Sequence, residues 1–168
     1  AITAQAAVEM LETGYTRLGE FHYLHNAPDG QPYADRAATA AAIVHAARTT
    51  GIGLTLLPVF YAHSDFGGVA PTHGQRRFIN DLDGFARLVE ESEKLLSDDD
   101  AIGIAPHSLR AVTPEELRHL VDFCHESPIH IHAAEQVKEV AASIAALGAR
   151  PVEWLLANAD VDSRWCLV

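Results

Sequence analysis

The chain has 168 residues, of which 48% are hydrophobic and 21% are charged, so it can form one soluble domain with a buried core. Twelve Lys and Arg residues against 23 Asp and Glu residues give a net charge of −11, which disfavours binding to nucleic acids or anionic membranes. No apolar stretch approaches the roughly 20 residues that a membrane-spanning helix needs, and no secretory signal pattern is present. We therefore expect a cytoplasmic protein that acts on a small molecule, and a homodimer stays open.

The two cysteines lie far apart in the sequence. Cys124 and Cys166 sit in apolar segments and do not form a CxxC pair. This pattern is typical of buried, reduced thiols in a reducing compartment. We expect both thiols to be buried and free.

Helices and strands alternate along the first half of the chain. Apolar residues at helical spacing predict a helix over 3–13, and residues 15–23 predict the first strand. A loop rich in Pro, Asp and Gly follows, and we expect Asp35 to cap an Ala-rich helix over 36–50. The second strand, 53–62, is apolar at almost every residue, which is typical of a parallel sheet covered on both faces.

The second half continues this alternation up to a last predicted strand. Thr113 and Pro114 are suited to the N-cap and first positions of the helix that they begin. In chain order, the predicted elements are a loop over 63–77, a helix over 85–96, a strand over 101–107, a helix over 113–125, a strand over 128–134, helices over 136–147 and 151–158, and a strand from 164.

This order of elements is compatible with two α/β folds. Right-handed crossovers turn it into either a doubly wound open sheet or part of a (β/α)8 barrel. Polar residues favour the barrel, because they gather where successive strands end and barrel active sites lie at that rim. These residues are His22, Tyr23, Tyr61, His63, His107 and His132. A closed barrel needs about 250 residues, so we expect residues 1–168 to be the central part of one barrel domain.

The segment HIHAAEQ carries the clearest chemical signal. His130 and His132 share one face of a strand, with His132 nearer the rim, and Glu135 follows the end of that strand. A neutral imidazole can bind a metal ion and a nearby carboxylate can move protons, so these residues indicate hydrolytic metal chemistry. Both histidines could instead be interior side chains satisfied by hydrogen bonds, and this peptide alone does not decide.

Two further segments carry candidate substrate-binding residues. In HSLRAVTPEEL, His107 stands at a strand end and Arg110 can grip a carboxylate with two parallel hydrogen bonds. Arg110 could instead pair with Glu115 or Glu116 on the surface. Tyr23 could donate to a substrate, or simply pack with its hydroxyl in water.

The chain resembles the N-formimidoylglutamate deiminases, a family of the amidohydrolase superfamily, in the segments GEFHYLHN, LTLLPVFYAHSDFGG, GQRRFIN, HSLRAVTPEEL and HIHAAEQ. The resemblance extends over nearly all 168 residues. HIHAAE alone is shared with other deaminases of the superfamily, whereas its combination with HSLRAV and the Tyr23 segment is more specific.

This resemblance implies a TIM barrel of the metal-dependent amidohydrolase type, of which the chain supplies about strands two to five and the start of strand six. It also implies a reaction and a cofactor. The reaction is the hydrolysis of N-formimidoyl-L-glutamate to N-formyl-L-glutamate and ammonia, a step of histidine degradation. The cofactor is one zinc ion.

The resemblance extends to individual residues. His132 matches a zinc ligand at the end of strand five, and Glu135 matches the acid and base that moves a proton from water to the departing nitrogen. Tyr23, His107 and Arg110 match residues that hold the substrate. The family's remaining zinc ligands have no counterpart in this sequence. We therefore assign the activity to the full-length protein and expect residues 1–168 alone to be inactive.

Two alternative functions remain at this point. One is a related zinc deaminase that acts on a purine, a pyrimidine or another heterocycle, although Arg110 beside His107 favours an anionic substrate. The other is a non-catalytic α/β binding domain in which the histidines of the rim are structural.

Overall fold

A computed structural model describes residues 1–168, and every predicted helix and strand is present with ends shifted by a few residues. The helices are α1 (Ile2–Glu12), α2 (Ala38–Thr50), α3 (Leu82–Glu93), α4 (Pro114–Phe123), α5 (Val137–Leu147) and α6 (Pro151–Asn158). The strands are β1 (Arg17–His22), β2 (Gly53–Phe60), β3 (Ala101–Ile102), β4 (Ala105–Pro106), β5 (Ile129–Ile131) and β6 (Trp165–Leu167).

All strands pair in parallel and in the order of the chain. β1 pairs with β2, β2 pairs with both β3 and β4, and β5 pairs with β6. A parallel bridge between Ile104 and Ile129 joins the two groups of strands. A doubly wound sheet reverses its strand order near the middle, whereas a barrel follows the chain. The observed order therefore favours the barrel over the doubly wound sheet.

The sheet is strongly curved toward one face. The Phe21 ring, on β1, lies 4.6 Å from the His132 ring and 5.7 Å from the His130 ring, measured between centroids. In a flat sheet, the three strand spacings between β1 and β5 would separate them by roughly 14 Å. Curvature thus brings the end of β5 against β1 and encloses a shared inner face.

The third predicted strand is interrupted where it faces Pro58. The Leu56 carbonyl accepts a hydrogen bond from the Gly103 N–H at 2.9 Å, and the Phe60 carbonyl accepts one from the His107 N–H at 3.0 Å. Pro58 lies between these two residues and has no N–H, so the ladder lacks a donor there. One strand therefore becomes two short ones, β3 and β4.

β2 is the centre of the core, as its continuous apolar sequence predicts. Residues 56–60 are all buried. On the outer face, Leu54 packs in the cluster formed with α1 and α2, and the Phe60 ring meets the Phe85 ring of α3 edge to face at 5.3 Å. On the inner face, Leu57 packs with side chains of β1 and β4. Both faces of the strand are thus covered.

The helix caps agree with the sequence at one predicted position and differ at another. Thr113 Oγ1 accepts from the Glu116 N–H at 3.2 Å, and the Glu116 carboxylate accepts from the Thr113 N–H at 2.7 Å, which completes a capping box. Asp35 does not cap α2. Its carboxylate accepts from the Ala37 N–H at 3.0 Å and closes a turn that precedes the helix.

The cysteines also differ from expectation at one position. Both thiols are free and Cys124 is buried, but Cys166 is exposed because β6 has only β5 as a neighbour. No single helix is long and apolar enough to cross a membrane, and α5 with α6 reaches that length and composition only as a pair bent by 46°.

Gly103 is the position where a small side chain should cost the most. A Cβ atom there would lie 2.5 Å from the Pro128 carbonyl oxygen and 2.7 Å from Leu57 Cδ2. Gly103→Ala should therefore lower the free energy of unfolding by about 1–3 kcal/mol, as measured by urea denaturation. Gly74→Ala is the matched control, because its nearest neighbour would lie at 3.8 Å. Equal stability of the two variants would contradict the close packing of β3 and β4 against β5.

Candidate active site

Three aromatic side chains meet at the carboxyl edge of the sheet. Tyr23 directly follows β1, His107 follows β4 and His132 follows β5. The Tyr23 and His107 rings lie 5.8 Å apart, and the His107 and His132 rings lie 5.1 Å apart, between centroids. The curvature of the sheet therefore brings three predicted site residues, from three separate strands, into one contiguous surface.

His132 has a defined tautomer. Its Nδ1 lies 3.1 Å from the His107 carbonyl oxygen, which can only accept, so Nδ1 carries the proton. In the neutral ring, Nε2 is then the nitrogen that carries the free lone pair. Histidines that bind metals commonly donate their other ring N–H to a carbonyl in this way. The geometry of His132 therefore fits one metal ligand.

The chain by itself forms no complete metal site. No group of three or more His, Cys, Asp or Glu side chains is positioned to hold a metal ion together. His130 lies two residues before His132 on the strand and is farther from the rim. Its ring meets the Phe21 ring edge to face, and burial lowers the pKa of its imidazole. His132 is thus the residue of this segment that fits the role of ligand at the rim.

His107 is held by neighbours on both sides of the rim. Burial lowers the pKa of its imidazole to about 4, with smaller contributions from His132 and from the Arg110 charge. Its Nδ1 lies 2.9 Å from Ser108 Oγ, and its ring lies 4.6 Å from the Tyr61 ring. His107 is therefore neutral near pH 7 and can offer a hydrogen bond without adding charge.

Tyr23 contributes a phenol to the candidate site, and Glu135 lies in the loop after β5. The pKa of the Tyr23 phenol is raised to about 12, mainly by burial and to a smaller extent by the negative charge of Glu135 and by Tyr61. Tyr23 therefore stays protonated and can donate. Glu135 is exposed and lies three residues after His132, in the loop between β5 and α5.

Arg110 makes neither of the surface pairs that its sequence suggested. Glu115 is exposed, and Glu116 contacts His63 Nε2 at 2.9 Å. Arg110 Nε instead lies 4.0 Å from Glu139 Oε1 on α5. Arg110 makes no ring or hydrogen-bond contact with Tyr23, His107, His132 or Glu135, although its charge reaches His107. Glu139 was missed from the sequence, because a glutamate in the first turn of a helix is common at exposed positions.

Two other histidines near the rim face away from this surface. His22 Nε2 donates to Thr39 Oγ1 at 3.1 Å, since the Thr39 hydroxyl itself donates to the Leu24 carbonyl. His25 Nε2 donates to the Val59 carbonyl at 2.9 Å. Both imidazoles are buried, and their ring centroids lie 5.3 Å apart. These histidines support the loop after β1 and do not belong to the candidate site.

Comparisons with known proteins agree over almost the whole chain. A family model described as the amidohydrolase family matches residues 1–163. The chain is 47% identical over 169 residues to a formimidoylglutamate deiminase of Pseudomonas aeruginosa, covering 99% of this chain and 37% of that protein. The chain thus spans little more than a third of the length of this curated relative.

Solved structures give the same picture. An amidohydrolase from Brucella melitensis superposes with a TM-score of 0.97 at 57% identity, over 99% of this chain and 38% of that one. An atrazine chlorohydrolase from Arthrobacter aurescens, complexed with zinc, superposes with a TM-score of 0.78 at 16% identity, over 99% and 36%. The second likeness shows a shared fold alone.

The buried pair His22 and His25 should make the free energy of unfolding decrease at acidic pH. Burial lowers the pKa of His22 to about 4, and burial together with a smaller effect of the neighbouring His22 lowers the pKa of His25 to about 3. Below the ordinary value of 6.5, the unfolded chain binds protons that the folded chain does not. The free energy of unfolding should therefore fall as the pH drops from 6.5 to about 4, by about 1.4 kcal/mol per pH unit for each histidine.

Urea denaturation at a series of pH values measures this slope. His22→Gln keeps a donor for Thr39 and removes the titrating group. The slope of the free energy of unfolding against pH should therefore decrease by about 1.4 kcal/mol per pH unit, which is the contribution of one proton. His119→Gln, at an exposed position of α4, is the control and should leave the slope unchanged. An identical slope in all three proteins would rule out His22 as a source of acid sensitivity.

Proposed function

Because this chain belongs to the amidohydrolase family, we propose that the full-length protein hydrolyses N-formimidoyl-L-glutamate to N-formyl-L-glutamate and ammonia. The family has a TIM-barrel-type fold, and the chain is α/β with parallel strands. Residues 1–168 are the central part of one barrel domain, with β1 as its second strand and β6 as the start of its sixth. The share of the relatives that the chain covers supports this division.

The observation that carries the proposal is the contact of Tyr23, His107 and His132 at one edge of the sheet. Each follows a different strand, and Glu135 lies in the loop after His132, where its charge contributes to the raised pKa of Tyr23. Hydrogen-bond donors, a neutral imidazole and a carboxylate therefore surround one surface. The identity to a formimidoylglutamate deiminase supports the choice of substrate.

His132 is the zinc ligand that this chain contributes, through Nε2. Zinc, when bound, lowers the pKa of water so that a nucleophile is available near neutral pH. The hydrogen bond from Nδ1 to the His107 carbonyl fixes the orientation of the ring and leaves Nε2 as the atom that would bind the metal. The remaining ligands come from parts of the full-length protein that this sequence does not contain.

Glu135 is the general acid and base. Its carboxylate takes a proton from the attacking water as the oxygen bonds to the formimino carbon. That proton goes to the formimino nitrogen, and the same carboxylate then moves the hydroxyl proton of the adduct to this nitrogen. The C–N bond breaks, the nitrogen departs as ammonia, and the carbon retains the oxygen as a formyl group. One residue can perform both transfers, because it is ionised before the attack and protonated after it.

The other three residues hold the substrate. Tyr23 is protonated and partly buried, so it can donate to the reacting group without adding charge. His107 is neutral and offers a second hydrogen bond. Arg110 provides the positive charge that a glutamate side chain requires in a protein of net charge −11.

A direct assay tests the proposal. The purified full-length protein, loaded with zinc, should release ammonia from N-formimidoyl-L-glutamate and accumulate N-formyl-L-glutamate in equal amounts. Adenosine and cytosine serve as comparison substrates and should not react. Turnover of a heterocycle without turnover of the formimidoyl amino acid would reject the proposed substrate and retain the family.

Glu135→Gln should remove the proton transfer and keep the metal. Glutamine has nearly the same size but cannot accept the proton, so kcat should fall by about 10²–10⁴-fold, with the zinc content unchanged. Glu115→Gln, at an exposed position of α4, is the control and should behave as wild type. Near-normal turnover in a zinc-loaded Glu135→Gln enzyme would exclude Glu135 from the mechanism.

His132→Ala should lower metal content and activity together, because it removes one of the three or four ligands that zinc requires. Elemental analysis of the purified variant gives the zinc per protein, and His125→Ala, exposed and remote from the rim, gives the control value. A His132→Ala protein with full zinc content would reject His132 as a ligand.

Arg110→Met should weaken substrate capture. A charged, two-pronged contact to the substrate carboxylate is present before and during the reaction, so KM should rise at least about tenfold while kcat changes little. Steady-state kinetics give both constants. Arg118→Met, at an exposed position of α4, should leave KM unchanged. A fall in kcat alone would assign Arg110 a different role.

A further inference from the structure

Glu139 is a buried carboxylate in a helix composed mostly of apolar residues. It lies in the first turn of α5 and is 2% exposed, although the neighbouring Val137 and Lys138 are exposed. Burial of an ionised carboxylate is strongly unfavourable unless charged or polar groups surround it. The groups that contact the Glu139 carboxylate therefore indicate its role.

One oxygen of Glu139 holds the backbone of Glu135. Oε2 accepts a hydrogen bond from the Glu135 N–H at 3.1 Å. The preceding residue, Ala134, has a φ of 59°, in the left-handed region that alanine rarely adopts. Such a conformation persists only when neighbouring contacts fix it. The hydrogen bond from the Glu135 N–H to the Glu139 carboxylate is a side-chain contact that fixes this turn.

The other oxygen of Glu139 faces Arg110. Oε1 lies 4.0 Å from Arg110 Nε, and both atoms are buried without a hydrogen-bond partner. Opposite charges that face each other in this way attract, and only a small movement separates them from a hydrogen bond. A guanidinium held at Nε keeps its two terminal nitrogens free, and these form the edge that grips a carboxylate.

We propose that Glu139 is a positioning residue that sets the orientation of both Glu135 and Arg110. Through Oε2 it fixes the turn from which Glu135 projects, and through Oε1 it directs the terminal nitrogens of Arg110 toward the substrate carboxylate. Glu139 itself touches neither the substrate nor the reacting atoms. The inference rests on the proposed function, because it takes its meaning from the roles assigned there to Glu135 and Arg110.

Steady-state kinetics of the zinc-loaded full-length enzyme test whether Glu139 orients Arg110. Glu139→Gln retains an amide oxygen for the Glu135 N–H and removes the charge opposite Arg110. It should raise KM on the order of tenfold, the effect of losing one charged contact, with kcat within about threefold of wild type. In an Arg110→Met background, the same change should alter KM by less than about twofold, because the residue through which it acts is gone.

A second substitution tests whether Glu139 orients Glu135. Glu139→Ala removes both oxygens, so it should raise KM as Glu139→Gln does and also lower kcat at least about tenfold. Glu153→Gln is the matched control. Glu153 occupies the same first-turn position in α6, where it accepts from the Arg150 N–H at 3.2 Å, and it is exposed. This variant should leave both constants unchanged.

The outcomes separate the inference from the proposed function. If Arg110→Met leaves KM unchanged, the role of Arg110 in the proposed function is wrong and the inference falls with it. If Arg110→Met raises KM but Glu139→Gln does not, or raises it equally in both backgrounds, only the inference falls. Should Glu139→Gln not fold, Glu139→Asp keeps the charge and withdraws the carboxylate, and an unchanged KM in that variant overturns the inference.

Discussion

The His107 carbonyl oxygen accepts two hydrogen bonds from His132, one from the backbone N–H at 3.0 Å and one from Nδ1 at 3.1 Å. β4 and β5 are otherwise joined only around Ile104, so this oxygen is the last link between the two groups of strands before the rim. The same link sets the tautomer of His132. The two hydrogen bonds that connect β4 to β5 therefore also orient His132, the candidate metal ligand. The other side chains of the rim lie around this pair of residues.

The electrostatics of the rim follow from burial rather than from ion pairs. Burial keeps His107 neutral and Tyr23 protonated near pH 7, so both offer hydrogen bonds without charge. Arg110 is the cation close enough to act on His107, in a chain whose net charge is −11. A local positive charge therefore stands near the rim of a chain that is otherwise strongly acidic.

The candidate site has a second layer that belongs to the helices. Glu139 on α5 reaches the turn after β5 and the loop after β4, and Glu116 on α4 caps its own helix while it contacts His63 after β2. Loops that carry chemistry are mobile unless rigid elements hold them. Here the first turns of two helices hold the loops of three strands.

Local patterns in the sequence determined the order of helices and strands, the burial of β2 on both faces and the gathering of His107, His132 and Tyr23 at strand ends. These features depend on spacing and composition, which act between near neighbours. Three features depended on tertiary structure: the pairing of Arg110 with Glu139, the outward direction of His22, and the break in the third strand opposite Pro58. Each depends on which residue of a distant segment lies opposite, and sheet curvature and strand register decide that only when the chain has folded.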